Sequence, residues 1–150
     1  MKPQLAEFLM PVLNSPRRGN LVFTILAMWT ISIHGASLPD EQQCRDLWAQ
    51  QNLIKPEIEG WCLMIDRTKG NCLACHNIAV ENWPGNLPTP GNAASLLENI
   101  PEKYPDTRLL GDMIADASKS NPETFMPLFG KHYILSGHQI DLIVKYLMSQ

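Results

Sequence analysis

The feature that most constrains this chain is a five-residue run, Cys72-Leu73-Ala74-Cys75-His76. Its C-x-x-C-H pattern is the attachment signature of c-type haem. Two cysteines three positions apart can add their thiols to the two vinyl groups of one haem, and the adjacent histidine can supply an axial nitrogen to the iron. We therefore predict one covalent haem c, with Cys72 and Cys75 as its attachment points and His76 as a ligand of the iron.

Two other kinds of site use similar cysteine spacing. A zinc site would need a second Cys/His pair at ligand spacing, which the sequence lacks. A thioredoxin-like dithiol would be expected in a βαβ context, whereas the surrounding residues read as helix and loop. Haem attachment is therefore favoured, provided that the chain reaches an oxidising compartment that loads haem.

Residues 1–37 have the pattern of an export signal. Arg17 and Arg18 precede an apolar run at 21–33, and small residues follow at 35–37. The run of 13 residues is shorter than the roughly 20 that a spanning helix needs. We expect cleavage near Ser37 and a periplasmic domain at 38–150, with an uncleaved membrane anchor as the alternative. The arginine pair leaves twin-arginine export open, but Sec export is preferred because haem c is normally attached after export of an unfolded chain.

The net charge and the length of the exported part limit its possible partners and its number of domains. The whole chain carries −3, and its first 37 residues contain three basic residues and one acidic residue, so residues 38–150 carry −5. No basic stripe for nucleic acid is present, and an acidic domain prefers partners with a basic docking patch. A segment of this length forms one domain.

The apolar periodicity predicts an all-α domain. Helices are expected at about 40–52, 57–69, 106–118 and 137–148. The third is expected to have Asp106 as its cap and Leu109 among its inward residues, and the last is opened by a capping box of Ser136 and Gln139. No segment shows the alternation of a strand. Between the second and third of these helices, residues 77–105 form a proline-rich loop, with a short helix around 93–99. A long ordered loop in a small domain usually has a function, and this loop is expected to wrap the His76 side of the haem.

The sixth iron ligand is the next question. Met64, Met113 and Met148 read as core-filling side chains on helices, and His138 as a solvated residue in the first turn of the last helix. Met126 lies instead in a proline-bounded loop, 50 residues beyond His76, and Pro127 holds it extended. We expect Met126 to be the axial ligand, which would raise the potential and leave no open coordination site; His132 is the alternative.

Cys44 and Cys62 lie on two successive predicted helices of an exported chain, which suggests a disulfide. Two alternatives stay open. Cys62 could be a buried free thiol with Cys44 incidental, or a disulfide could form with a partner subunit.

Several motifs together resemble SoxX, the monohaem cytochrome c subunit of the SoxAX thiosulfate-oxidising complex. They are the run from Asp66 to His76, the Pro84-Gly85-Asn86 loop, Asn121-Pro122 with Met126-Pro127 and Phe129-Gly130, and Ile134-Leu135-Ser136 with Gln139-Ile140. The resemblance covers most of residues 60–150, and it carries over only Cys72, Cys75, His76 and Met126. The segment 77–95 departs from the shorter Gly-Pro turn of such cytochromes, which leaves open the proline that backs His76.

The resemblance implies a class I cytochrome c fold and a role in sulfur oxidation. A SoxA-like haem protein would carry the active site, where thiosulfate is joined oxidatively to a cysteine of a SoxYZ-like carrier. This chain would be the non-catalytic subunit of that L-cysteine S-thiosulfotransferase, accept the two electrons and pass them to a downstream cytochrome c. It would have no catalytic residue of its own.

The alternative hypothesis is a free-standing periplasmic electron shuttle. A stable heterodimer would expose an apolar patch near the haem edge that a shuttle lacks. Four aromatic residues could form it, although aromatic core residues are the commoner explanation: Trp48, Trp61, Trp83 and Phe129.

Overall fold

The computed structural model describes residues 37–50 and 54–150, so the predicted signal peptide lies outside the described residues except for Ser37. Five α-helices are present in this part, and they confirm the all-α class: α1 (Glu41–Ala49), α2 (Pro56–Ile65), α3 (Ile100–Lys103), α4 (Thr107–Ala115) and α5 (Gly137–Met148). Short 3-10 turns occur at Cys72–Ala74 and Ala117–Lys119. None of the helices in the described ranges is long and apolar enough to cross a membrane.

The core is built on the crossing of α2 and α5. Every residue of α2 from Gly60 to Ile65 is buried, and α5 buries an apolar face of six residues between Ile140 and Leu147. Gly60 lies at the point of closest approach, because a Cβ added there would fall 2.0 Å from the Leu142 carbonyl oxygen and 3.0 Å from Tyr146 Cβ. Only a residue without a side chain allows the two backbones to come this close.

Local sequence signals start the two long helices. Pro56 occupies the first turn of α2, where its missing N–H leaves no helical hydrogen bond unmade. Ser136 accepts a hydrogen bond from the Gln139 N–H, and the Gln139 side chain accepts one from the Ser136 N–H. The capping box predicted for α5 is therefore confirmed.

Helix α1 is joined to α2 by a disulfide and by side-chain contacts. Cys44 and Cys62, both fully buried, form the disulfide, with a Cα–Cα distance of 5.5 Å. The Trp61 indole Nε1–H donates to the Pro39 carbonyl at 2.7 Å. Asp40 caps α1, and the pKa of its carboxyl is lowered by the hydrogen bond from the Gln43 N–H and then by that from the Asn86 side chain. The predicted disulfide is confirmed.

Helix α2 ends earlier than the periodicity predicts. It stops at Ile65 rather than at 69, because the Asp66 carboxylate accepts hydrogen bonds from the N–H and hydroxyl of Thr68. An aspartate that bonds to the backbone two residues onward competes with the helix for those groups. The chain then closes back onto α2 through the Gly70 N–H, which donates to the Leu63 carbonyl at 3.1 Å.

Other differences lie in the second half of the chain. The short helix is Ile100–Lys103 rather than 93–99, with Asn99 in the left-handed region at φ 51°. Helix α4 begins at the Asp106 cap as predicted but ends at Ala115, because the Ala115 carbonyl accepts from Gly130 and Lys131 instead of from the next helical turn. Leu109, predicted to face inward, is 58% exposed.

The helix crossing leads to a test by substitution. Gly60→Ala is expected to lower the free energy of unfolding by about 3 kcal/mol, because the added methyl group would overlap the Leu142 backbone. Gly111→Ala in α4 is the matched control, since its added Cβ would meet its nearest neighbours at 3.9 Å and alanine favours a helix. Urea denaturation followed by far-UV circular dichroism measures both. Equal losses in the two variants would contradict the assignment of Gly60 as the crossing point.

The disulfide provides a second test. Replacing both Cys44 and Cys62 by alanine is expected to lower the free energy of unfolding by about 3 kcal/mol, because the bond closes a loop across 18 positions in the unfolded chain. Urea unfolding of oxidised protein measures the loss. With a reductant present throughout, the difference from the unsubstituted protein should shrink. If this difference in the free energy of unfolding is the same with and without reductant, the effect of the substitutions is due to packing alone.

Candidate functional site: the Cys-Leu-Ala-Cys-His turn

The C-x-x-C-H turn is anchored by the end of α2. Gly70 is buried, and a Cβ there would lie 2.5 Å from the Leu63 carbonyl oxygen and 3.2 Å from Cys72 Sγ. Asn71 follows in the left-handed region at φ 46° and turns the chain into the 3-10 turn. The Cys75 and His76 N–H groups then both donate to the Cys72 carbonyl, at 3.2 and 2.9 Å. One tight turn thus carries both thiols and the imidazole.

The His76 ring is oriented by one strong hydrogen bond. Its Nδ1 lies 2.7 Å from the Ser95 carbonyl oxygen. A carbonyl oxygen can only accept, so Nδ1 carries a proton, and in the neutral imidazole the lone pair then lies on Nε2. This pattern, a ring N–H held by a backbone carbonyl, fixes the tautomer of a metal-binding histidine and raises its basicity. The imidazole is therefore prepared to ligate iron through Nε2.

The long loop after the motif folds back onto it with a regular register. The N–H groups of Gly91, Ala94 and Leu97 donate to the carbonyls of Leu73, Cys75 and Asn77, at 2.8, 3.0 and 2.8 Å. Ile78 and Leu97 form an isolated parallel bridge in the same place. The loop packs against the motif, and the backing group of His76 is the Ser95 carbonyl rather than a proline.

Gly91 makes the close approach of this loop possible. A Cβ at this position would lie 2.2 Å from the Ala74 carbonyl oxygen and 3.0 Å from Cys75 Cα. Neither Gly91 nor Ser95 was identified from the sequence as part of the site. A Pro-Gly pair was visible at 90–91, but a backbone carbonyl that will orient a histidine 19 positions away leaves no side-chain signal.

The two thiols of the motif are available for attachment. Cys72 is half-buried and Cys75 is exposed, and they do not form a disulfide with each other. Desolvation by burial raises the pKa of the Cys72 thiol to about 12. The nucleophilic cysteine of a redox dithiol typically has a lowered pKa instead. Within residues 37–50 and 54–150, no group of three or more His, Cys, Asp or Glu side chains could hold a metal ion by itself.

The two candidate sixth ligands lie in different surroundings. Met126 is half-buried and packs against the core, and its N–H donates to Thr124 Oγ1 at 3.1 Å. His132 lies on an exposed turn, where its backbone N–H donates to the Leu128 carbonyl. Met113 accepts a hydrogen bond on its sulfur from the Tyr104 hydroxyl at 3.4 Å, and Met64 is fully buried, both consistent with core roles. The pairing of Met126 with His76 on the iron stays a prediction.

The residues around the motif fit a covalent haem. Two unpaired thiols and an imidazole with a free Nε2 are the donor set that haem c requires. Five large apolar side chains in the described part of the chain are exposed: Leu96, Leu109, Phe125, Tyr133 and Ile134.

Comparison with protein families gives one match. The family model described as cytochrome c covers residues 67–150, which begin five residues before Cys72 and extend two residues past the end of α5. No curated protein matches the chain. The matched range includes the motif, the loop that backs His76 and both candidate sixth ligands.

The packing of the loop on the motif generates a further prediction. Gly91→Ala is expected to cost about 1–3 kcal/mol of folding free energy, because the loop must move away from the Ala74 carbonyl. Gly85→Ala in the same loop is the control, since its added Cβ would meet nothing within 4 Å. Amide hydrogen exchange at Ala94 and Leu97 should accelerate in the first variant only. Unchanged exchange there would show that the loop does not depend on Gly91.

Proposed function

Because the chain belongs to the cytochrome c family, we propose that it is the monohaem electron-accepting subunit of a SoxAX-like sulfur-oxidation complex. The broader function, haem-based electron transfer, follows from the family itself. The finer role is supported by the motifs around the haem-binding turn. The Lys-Gly-Asn lead-in to Cys72 and the Met-Pro-x-Phe-Gly loop at 126–130 are more specific than the C-x-x-C-H pattern alone.

Different residues of the site would hold the cofactor in different ways. Cys72 and Cys75 would carry the thioether bonds, and His76 would ligate the iron through Nε2 while Ser95 holds its Nδ1–H. Met126 would supply the second protein ligand of the iron. The haem supplies reversible one-electron chemistry when bound. With His76 and Met126 both bound to the iron, this chain would transfer electrons without binding a substrate, so thiosulfate chemistry would belong to a partner.

The proposed partners and location follow from the same role. A SoxA-like haem subunit would join thiosulfate to the cysteine of a SoxYZ-like carrier, a reaction that forms one S–S bond, releases the thiol proton and yields two electrons. This chain would accept these electrons one at a time and pass them to a downstream cytochrome c. Export by the segment at 1–37 would place it in the periplasm, where haem c is attached.

One observation favours the alternative of a free-standing electron shuttle. The aromatic residues that could have formed a docking patch are largely internal: Trp61 and Phe129 are buried, and Trp48 and Trp83 are half-buried and pack against the core. Trp83 meets Trp61 edge-on, with the ring centroids 6.3 Å apart. These side chains therefore do not provide the apolar patch of a stable heterodimer, and such a patch would have to use other residues.

The sixth ligand can be identified by substitution. Met126→Ala is expected to abolish the ferric methionine-to-iron charge-transfer band and to lower the reduction potential, because the thioether favours reduced iron. His132→Ala is the matched control and should leave both unchanged. Optical spectra and potentiometric titration of the holoproteins measure the two effects. A band that survives in Met126→Ala would exclude Met126 as the ligand, and a change in His132→Ala would favour the histidine.

Purification from the periplasmic fraction tests the role in sulfur oxidation. A second c-type haem protein is expected to co-purify with this chain, as identified by haem stain and mass spectrometry. Thiosulfate and a SoxYZ-like carrier should then reduce the haem of this chain in the complex and fail to do so with the isolated chain. Elution as a single protein, reduced only by other cytochromes, would support the shuttle and contradict the subunit proposal.

A further inference from the structure

The segment that contains Met126 is a closed loop with both ends fixed at the end of α4. At its start, the Asn121 N–H donates to the Ala117 carbonyl at 3.0 Å. At its end, the Gly130 and Lys131 N–H groups donate to the Ala115 carbonyl at 3.0 and 3.1 Å. Residues 121–131 therefore leave and return to the same short stretch of chain, in the manner of an Ω-loop.

One ionic cluster lies where the loop returns. Lys131 Nζ lies 3.4 Å from Asp116 Oδ2 and 3.5 Å from Ser118 Oγ. The Ser118 hydroxyl donates a short hydrogen bond to the other Asp116 carboxylate oxygen. The Asp116 side chain is only 12% exposed, whereas that of Lys131 is 53% exposed. One lysine of the loop thus interacts with two groups that lie just beyond α4.

Close packing leaves little room for the loop to shift at this point. A Cβ on Gly130 would lie 2.9 Å from Ala115 Cβ and 3.3 Å from Ile140 Cδ1. The pKa of the Asp116 carboxyl is lowered, first by the Ser118 hydroxyl and then by Lys131, so the carboxylate is charged at neutral pH. The backbone hydrogen bonds hold the two ends of the loop against the end of α4. The Lys131–Asp116 ion pair is the only charged contact described between the loop and the end of α4.

We propose that Asp116, Ser118 and Lys131 form a latch that closes the loop 121–131 and thereby positions Met126. These three are positioning residues, since they act on the site through the loop and not by contact with the iron. The proposal rests on Met126 as the sixth ligand. Asp116→Asn retains the shape and the acceptor for Ser118 but removes the charge that attracts Lys131, so it isolates the ionic contribution. Opening of the loop would withdraw the thioether while the helices stay folded.

The test follows the ferric charge-transfer band of the holoprotein in urea and, in parallel, helical unfolding by far-UV circular dichroism. In Asp116→Asn and Lys131→Gln, the equilibrium constant for loss of the band is expected to rise roughly fivefold, the upper end for a partly exposed ion pair. The helical transition should move much less. In Lys131→Arg, which keeps the positive charge, the band should be lost at nearly the same urea concentration as in the unsubstituted protein. Lys119→Gln, which changes an exposed lysine just before the loop, is the control and should have no effect.

Ionic strength gives a second readout. Added salt should raise the equilibrium constant for loss of the band in the unsubstituted protein. It should raise this constant less in Asp116→Asn, because the ion pair that salt screens is already absent there. Loss of the band that coincides with helical unfolding in every variant would overturn the latch while leaving Met126 as the ligand. A band that persists in Met126→Ala would instead overturn the ligand assignment. The two failures are thus distinguishable.

Discussion

The close crossing of α2 and α5 is the constraint on which the remaining structure depends. Because Gly60 has no side chain, the two backbones come so close that the Leu142 carbonyl lies where a Cβ of residue 60 would be. The buried stretch that follows runs from Trp61 to Ile65, and α2 ends there at the turn in which Asp66 binds Thr68. Gly70 packs back on Leu63, and Cys72 begins its turn two residues later. The position of the haem-binding turn therefore depends on a helix contact that includes none of the residues of the motif.

From that turn outward, the backbone rather than the side chains builds the site. Three carbonyls of the stretch 73–77 receive N–H groups from the loop at 91–97, and a carbonyl of the same loop receives the His76 ring N–H. The loop thus serves two purposes, since it completes hydrogen bonds of the turn and selects the tautomer of its histidine. Such a loop would be useful to a protein that binds haem, because an imidazole that ligates iron must be held in a defined orientation.

The sequence predicted most accurately those features that depend on a few neighbouring residues. The haem-binding motif, the Ser136–Gln139 capping box and the Asp106 cap are all of this kind. The sequence favours a Cys44–Cys62 disulfide but does not distinguish it from free thiols or from a disulfide to a partner subunit. The errors have tertiary causes: the Ala115 carbonyl is taken by residues of a distant loop, and Leu109 lies outward on a helix face expected to be covered. The Ser95 carbonyl was not identifiable, because every residue has such a group and only the fold selects one.

The most direct test of this account is proton NMR of the reduced holoprotein with carbon-13 in the methionine methyl groups. One methyl resonance, assigned to Met126, is expected to be shifted far from the others by the haem ring current, together with a slowly exchanging His76 Nδ1–H close to Ser95. This assignment would be contradicted if no methionine methyl group were shifted and the ring protons of His132 were shifted instead.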